Sequence, residues 1–148
     1  MSELRLEELS AKNVVAANGL TMKPGQEAFV LPLSNSIYIT QSTTWTRVVY
    51  RDDEILGYFM ANFDPEAEQE IYRSSVLRMN VAAAAQGSGI GSFIVEQIGA
   101  EGAKRGFDSL YAVWEPGELG PEKFFTKVGF EVVGETEYGE QIGKLTLV

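Results

Sequence analysis

Residues 3–9, ELRLEEL, alternate apolar and polar side chains, the two-residue period of a strand with one buried face. Residues 10–20, SAKNVVAANGL, lose that period. Ser10 is a candidate N-cap and Gly19 a stop, so a helix is predicted there. Residues 23–39 carry Pro24, Gly25 and Pro32, which predicts short helical turns and loop. Two runs of strand formers follow, WTRVVYRD and EILGYFMANF, on either side of Asp52-Asp53, a hairpin signal. Residues 69–81, QEIYRSSVLRMNV, predict a longer strand after Asp64-Pro65. From residue 90 to residue 105 the period becomes helical, with Ile90, Phe93, Ile94, Gln97 and Ile98 near one face. Lys104 and Arg105 fall in its last turn and Gly106 follows, a C-terminal signal. DSLYAVW is a strand, GPEKFFTKVGF a short helix with Pro121 near its start, and EVVGETE with IGKLTLV a β pair around Tyr138-Gly139. The predicted fold is α/β: a central mixed, mostly antiparallel sheet of about seven strands flanked by helices.

Composition narrows the chemistry. A chain of 148 residues is expected to form a single domain, residues 1–148, with a sizeable core. Cysteine and histidine are both absent. That removes a thiol nucleophile, thiolate and imidazole metal ligands, and the commonest general base, so no metal is expected. The net charge of −9 argues against nucleic acid, whose binding rests on neutralising phosphates, and is compatible with a small cationic substrate. No apolar run is long enough for a membrane span, and the acidic start MSELRLEEL lacks the pattern of a secretory signal, so no membrane partner and a cytoplasmic location are expected.

The most informative stretch is Gln86-Gly87-Ser88-Gly89-Ile90-Gly91, placed between a predicted strand and a predicted helix. Free amide N–H groups and the positive end of a helix meet there, a combination that binds anions, phosphate above all. An ATP-type loop would need Gly-Lys-Ser/Thr, but Ser92 and Phe93 follow Gly91. A dinucleotide fingerprint from Gly87 and Gly89 would need a third glycine at position 92. The remaining pattern, Gln-x-x-Gly-x-Gly after a central strand, is that of a coenzyme A loop.

With KVGF at residues 127–130, that loop makes residues 76–130 resemble the GNAT N-acetyltransferases. LRMNVAAAAQGSGIGSFIVEQI is similar to their strand, pyrophosphate loop and helix. YAVWEPGELGPEKFFTKVGFEVVGE is similar to their next strand, helix and closing turn. WEP, FFTKVGF and GQEAFV resemble the bacterial spermine/spermidine acetyltransferase branch. The resemblance implies an acyl-CoA N-acyltransferase fold and transfer of acetyl from acetyl-CoA to a small primary amine by direct attack. It further implies that Gln86, Gly87, Ser88, Gly89, Ile90, Gly91 and Ser92 hold the pyrophosphate. Met79, Asn80 and Val81 then pair with the pantetheine arm, and the Val81 N–H points at the thioester carbonyl as an oxyanion donor. The C-terminal KLTLV strand is expected to be able to pair across a homodimer.

The family's tyrosine acid falls on Phe125, a contact for the cofactor with no proton to give, and its asparagine on Glu118. A departing thiolate with a pKa near 8.5 costs about 2 kcal/mol relative to the thiol at neutral pH, so an acid is helpful without being indispensable. Water, Tyr111 or Tyr72 are the alternatives, with Tyr111 taken as the candidate. A primary amine near 10.4 costs about 4.6 kcal/mol to deprotonate at pH 7, which calls for a carboxylate. Glu115, at the end of the DSLYAVW strand, is nominated as base or amine anchor, with Glu27 and Glu118 as grips for a second ammonium. Tyr38, Tyr58, Tyr72 and Tyr138 could line an amine pocket. Trp45 and Trp114 read as packing. Two other readings stay open: transfer to an amino acid, an antibiotic amine or a protein N-terminus, and an acyl-CoA-binding module with little catalysis.

Overall fold

A computed structural model describes residues 4–10, 12–13, 17, 43–82, 89–116 and 122–147. Its strands are β1 (Leu4–Glu8), β2 (Thr44–Arg51), β3 (Glu54–Phe63), β4 (Ser74–Val81), β5 (Ser109–Trp114), β6 (Glu131–Glu135) and β7 (Gln141–Thr146). Its helices are α1 (Ile90–Lys104) and α2 (Glu122–Lys127). The strands form one sheet in the order β1-β2-β3-β4-β5-β7-β6. Among the described strands only the β4–β5 pairing is parallel. The predicted mixed sheet is therefore present, and the βαβ unit β4-α1-β5 lies at its centre.

Each element follows from local chemistry. Asp52 adopts φ 54° in the β2–β3 turn, a left-handed conformation that aspartate tolerates better than most residues. The Arg5 guanidinium on β1 donates to the Asp52 carbonyl and tethers that turn. β3 is buried almost throughout, so GYFMANF reads as a continuous apolar run instead of a clean alternation. Helix α1 buries Ile90, Ile94 and Ile98 of the face that the sequence period selects, and Val95 beside them, while Phe93 and Gln97 are half-buried; Gly99 and Gly102 let the helix lie close. Burying one such isoleucine stabilises the fold by about 1.5–3 kcal/mol.

The main core lies on one face of the sheet. It joins Phe59, Ala61, Val76, Leu110 and Ala112 from the strands to Ile94 and Ile98 of α1 and Phe125 of α2. A smaller cluster, Val48, Tyr50 and Tyr58 with Ala17, covers the opposite face of β2 and β3. In the predicted helix of residues 10–20 only Lys12, Asn13 and Ala17 are described besides Ser10. The Ser10 hydroxyl accepts the Lys12 N–H at 3.3 Å, and the Asn13 side chain accepts the Ser10 N–H at 2.9 Å, a reciprocal cap. The loop predicted over residues 23–39 lies outside the described residues.

One expectation changes. The strand predicted for residues 69–81 begins only at Ser74, because Glu70–Tyr72 form a 3-10 turn. The turn is fixed from outside: Asn62 donates to the Tyr72 carbonyl at 2.8 Å and the Asp64 N–H bonds to the Arg73 carbonyl at 2.8 Å. The C-terminal strand is also not an edge. β7 is bonded to β5 on one side, from Thr146 to Gln141, and to β6 on the other, from Lys144 to Gln141. β6 reaches only Lys144 of the KLTLV segment, and the edges of the described sheet are β1 and β6.

Candidate active site

Parallel strands β4 and β5 share only two rungs, Ser75↔Tyr111 and Val76↔Ala112. Beyond them β4 runs on to Val81 while remaining paired with β3, and the two central strands part. The cause is visible in the β3–β4 register. Met60 opposes Arg78 and Ala61 opposes Val76, so Leu77 is an extra residue on β4. Such a bulge bends its strand and ends regular pairing nearby. The result is a wedge with β4 residues Met79, Asn80 and Val81 along one side and the end of β5 on the other.

Strand alternation orients the β4 edge. The Ala82 N–H bonds to the Leu56 carbonyl at 2.8 Å, toward β3. Neighbouring residues on a strand turn their N–H groups to opposite sides, so Val81, and with it Met79, presents its amide toward the wedge. The Asn80 side chain lies on the face away from α1 and is buried.

Helix α1 starts at the mouth of this wedge. Gly89 is its N-cap at φ 87°, with no side-chain cap, and no acidic residue lies in the first turn. A Cβ added at Gly89 would meet no described residue within 4 Å, so glycine is required there by its left-handed conformation. Gly91 has a different cause. Its Cβ would stand 2.8 Å from the ring of Phe124, so the missing side chain lets α2 pack on the first turn of α1. Sequence reasoning missed Phe124, since nothing local links it to position 91. Ile90 points into the core, 1% exposed, and contributes only its backbone to the mouth. Ser92 is half-buried on the outer side. Gln86, Gly87 and Ser88 lie outside the described residues, as do Glu27, Glu118 and Tyr38.

The catalytic candidates separate in space. Glu115 is exposed just past the end of β5, at the open end of the wedge. Phe125 is buried, stacked on Trp114 at 5.0 Å and edge-on to Phe130 at 5.3 Å. This aromatic sandwich forms the α2 side of the core beneath the wedge. Trp114 lies over Gly143 of β7, and Trp45 packs on Phe59 at 5.3 Å, so both tryptophans pack as expected.

Tyr111 sits on the closed rungs, on the face of β5 opposite the Leu110 and Ala112 side chains that pack with α1. Burial first, and then the nearby carboxylates of Glu70 and Asp108, push its phenol from 10.0 up to about 12. A phenol raised so far gives up its proton less readily near neutral pH than an ordinary tyrosine. Tyr72 is 44% exposed and Tyr138, at the β6–β7 turn, 82% exposed, whereas Tyr58 is fully buried on the second core. These three tyrosines are not gathered into one pocket. A groove of about 470 Å³ between α1, the end of α2 and the end of β7 touches the candidate site only at Ser92 and takes no lining from β4 or β5.

Comparisons with known proteins agree with this geometry. The family model described as acetyltransferase (GNAT) domain matches residues 40–132. The ribosomal-protein-S18-alanine N-acetyltransferase from Escherichia coli superposes with a TM-score of 0.74 at 14% identity, over 98% of this chain and 94% of that one. N-acetylglutamate synthase from Neisseria gonorrhoeae, complexed with coenzyme A and N-acetyl-glutamate, gives 0.72 at 17% identity, over 100% of this chain and 36% of that one. The aminoglycoside 6'-N-acetyltransferase from Enterococcus faecium gives 0.71 at 15% identity, over 97% of both chains. At these identities the likeness is one of fold. No curated protein matches the sequence.

Proposed function

We propose, from the premise that the chain belongs to the acetyltransferase (GNAT) domain family and is an acetyl-CoA-dependent N-acetyltransferase, that its acceptor is a small cationic, polyamine-like primary amine. The observation that carries the acyl-donor side is the wedge between β4 and β5 opening in front of an uncapped helix N-terminus. The residues present fit coenzyme A. The first-turn amides of α1 from Gly89 to Ser92 offer donors to a diphosphate. The outward edge of Met79 and Val81 offers backbone partners to an extended amide-bearing arm. When bound, acetyl-CoA supplies the activated acyl carbon. The chain aligns that carbon, and the Val81 N–H stabilises charge gathering on its oxygen.

On the acceptor side, Glu115 receives the amine at the open end of the wedge and takes its proton. The overall charge of −9 raises the local concentration of a cation. With a phenylalanine at position 125 and Tyr111 on the face of the sheet opposite α1, water protonates the departing sulfur. No helix among the described residues is long and apolar enough to cross a membrane. A second reading, an acyl-CoA-binding module with little catalysis, draws on the same Phe125, whose buried ring carries no acid.

Thiol release with a panel of amines tests the acceptor. Turnover is expected with spermidine and diamines and to be weaker with amino acids, aminoglycosides or peptides; turnover confined to peptides or aminoglycosides contradicts it. Coenzyme A binding with no turnover on any amine would select the binding-module reading. Glu115→Gln is expected to lower kcat/KM at pH 7 by about 100-fold and to flatten the rise of rate with pH. An unchanged pH–rate profile would remove Glu115 as the base.

A further inference from the structure

Buried donors normally find an acceptor, and one beside the wedge does not. Trp114 is only 4% exposed, and its Nε1 has no hydrogen-bond partner among the described residues. The buried hydroxyls of Ser74 and Ser75 also lack partners there, but a hydroxyl can swing its hydrogen toward another acceptor. An indole N–H is fixed in the plane of its ring and only donates. The ring itself is held on two sides. It stacks on Phe125 at 5.0 Å with 16° between the planes, and its carbons Cζ3 and Cη2 would each stand 2.5 Å from a Cβ added at Gly143. Those two carbons form the edge of the indole farthest from the pyrrole ring that carries Nε1. The benzo end therefore rests on β7, and the pyrrole end stays on the β5 side, nearer the gap to β4.

The place of Trp114 in the sheet matters as much as its ring. The last residue of β5 that pairs with β4 is Ala112, so Trp114 at the end of β5 stands beyond the closed rungs. It remains paired with Gln141 of β7, so its other flank borders the wedge. Leu110, Ala112 and Trp114 alternate into the core on the α1 side, and the Met79 and Val81 side chains pack against that same core. The indole and the Met79–Val81 edge thus flank the wedge on one face of the sheet. A phenylalanine at position 114 would fill the core without stranding a donor, whereas a stranded N–H destabilises the fold until a ligand accepts it.

We infer that the Trp114 indole N–H is held for the sulfur of the acyl donor and stabilises the negative charge that gathers there as the thioester breaks. This rests on the proposed reading that acetyl-CoA lies along the Met79–Val81 edge. The amine nitrogen bonds to the acyl carbon, the carbon–sulfur bond breaks, and its electron pair stays on sulfur. The Val81 N–H serves the acyl oxygen and the Trp114 N–H the sulfur. A hydrogen bond to the charged form favours that form, so the thiolate leaves more readily. The indole keeps its proton; water delivers the one that ends on the thiol, and Glu115 takes the one that the amine loses. Trp114 thereby supplies a hydrogen bond that the ring of Phe125 cannot.

Nitrogen-edited NMR of the indole N–H groups reads the contact in the unaltered chain. The chain has two tryptophans, so the resonance that survives in Trp45→Phe belongs to Trp114. That resonance is expected to move downfield on addition of coenzyme A, and to move far less with desulfo-coenzyme A, which lacks the sulfur. By calorimetry the unaltered chain is expected to bind coenzyme A about threefold to tenfold more tightly than the desulfo form, the scale of one neutral hydrogen bond. Trp114→Phe keeps an aromatic ring against Phe125 and removes the N–H. It is expected to bind the two forms alike. With an amine that turns over, it is expected to lower kcat by roughly 10–100-fold, the scale of one hydrogen bond to a charged group, while KM for the amine holds. A role in packing alone would lower the melting temperature and leave the preference for coenzyme A over the desulfo form intact. The NMR comparison decides on the unaltered chain even where Trp114→Phe fails to fold. A Trp114 resonance that answers both forms alike, or full kcat in Trp114→Phe, overturns the sulfur contact alone. No binding of coenzyme A by the unaltered chain would remove the proposed donor site and the contact together.

Discussion

Gly57→Ala is expected to cut kcat/KM for acetyl-CoA by about 10–100-fold, because small misplacements of groups that align a reactant are costly. Gly57 lies opposite Val81 in the β3–β4 ladder. A Cβ there would stand 2.6 Å from the Asn80 carbonyl oxygen. That oxygen belongs to the backbone and cannot swing aside as a side chain would. β3 and β4 must therefore separate at the end where Met79 and Val81 face the wedge. The same overpacking is expected to lower stability by about 1–3 kcal/mol. Steady-state thiol release and a thermal melt check both effects. Gly134→Ala is the control, since a Cβ at Gly134 on edge strand β6 meets nothing within 4 Å. It is expected to change stability by less than about 0.5 kcal/mol and leave kcat/KM unaltered. Equal kinetics for the two variants would mean that the close approach at Gly57 does not govern the donor edge.

Val81→Pro is expected to lower kcat by about 100–1,000-fold, the usual cost of losing one oxyanion donor. Proline removes the N–H that strand alternation turns toward the wedge. The ladder to β3 keeps its neighbouring bond from the Ala82 N–H to the Leu56 carbonyl, so the strand itself is expected to survive. Coenzyme A affinity is expected to stay within a few fold, because the diphosphate is held at α1. Val81→Ala keeps the N–H and serves as the comparison, with kcat expected within about threefold of the unaltered chain. Were Val81→Pro to retain full kcat, the backbone of Val81 would have no part in the chemistry.

Together the two variants separate aim from chemistry. In the proposed reading, Gly57 sets where the edge lies and Val81 supplies a donor from it. Position 125 fits this division. Its ring completes the packing of Trp114 and Phe130, so the fold keeps the aromatic shape there without a phenol.

The local sequence determined most of the elements and the place of the proposed donor site. Alternation in residues 3–9, the Asp52-Asp53 turn, the helical period from Ile90 and the glycine at position 89 each act through neighbours within a few residues, so they can be read along the chain. The absence of cysteine and histidine likewise limited the chemistry before any fold was known. Tertiary structure alone decided what depends on distant partners. It inserted β7 between β5 and β6, gave the bulge at Leu77 its place against Met60 and Ala61, and set Phe124 on Gly91. It also set Tyr111 opposite Ser75 on one of the two rungs that join β4 and β5. Periodicity reports which face a residue occupies. It does not report which strand lies alongside or in what register, because those are settled by nonlocal packing and by the hydrogen bonds that the packing permits.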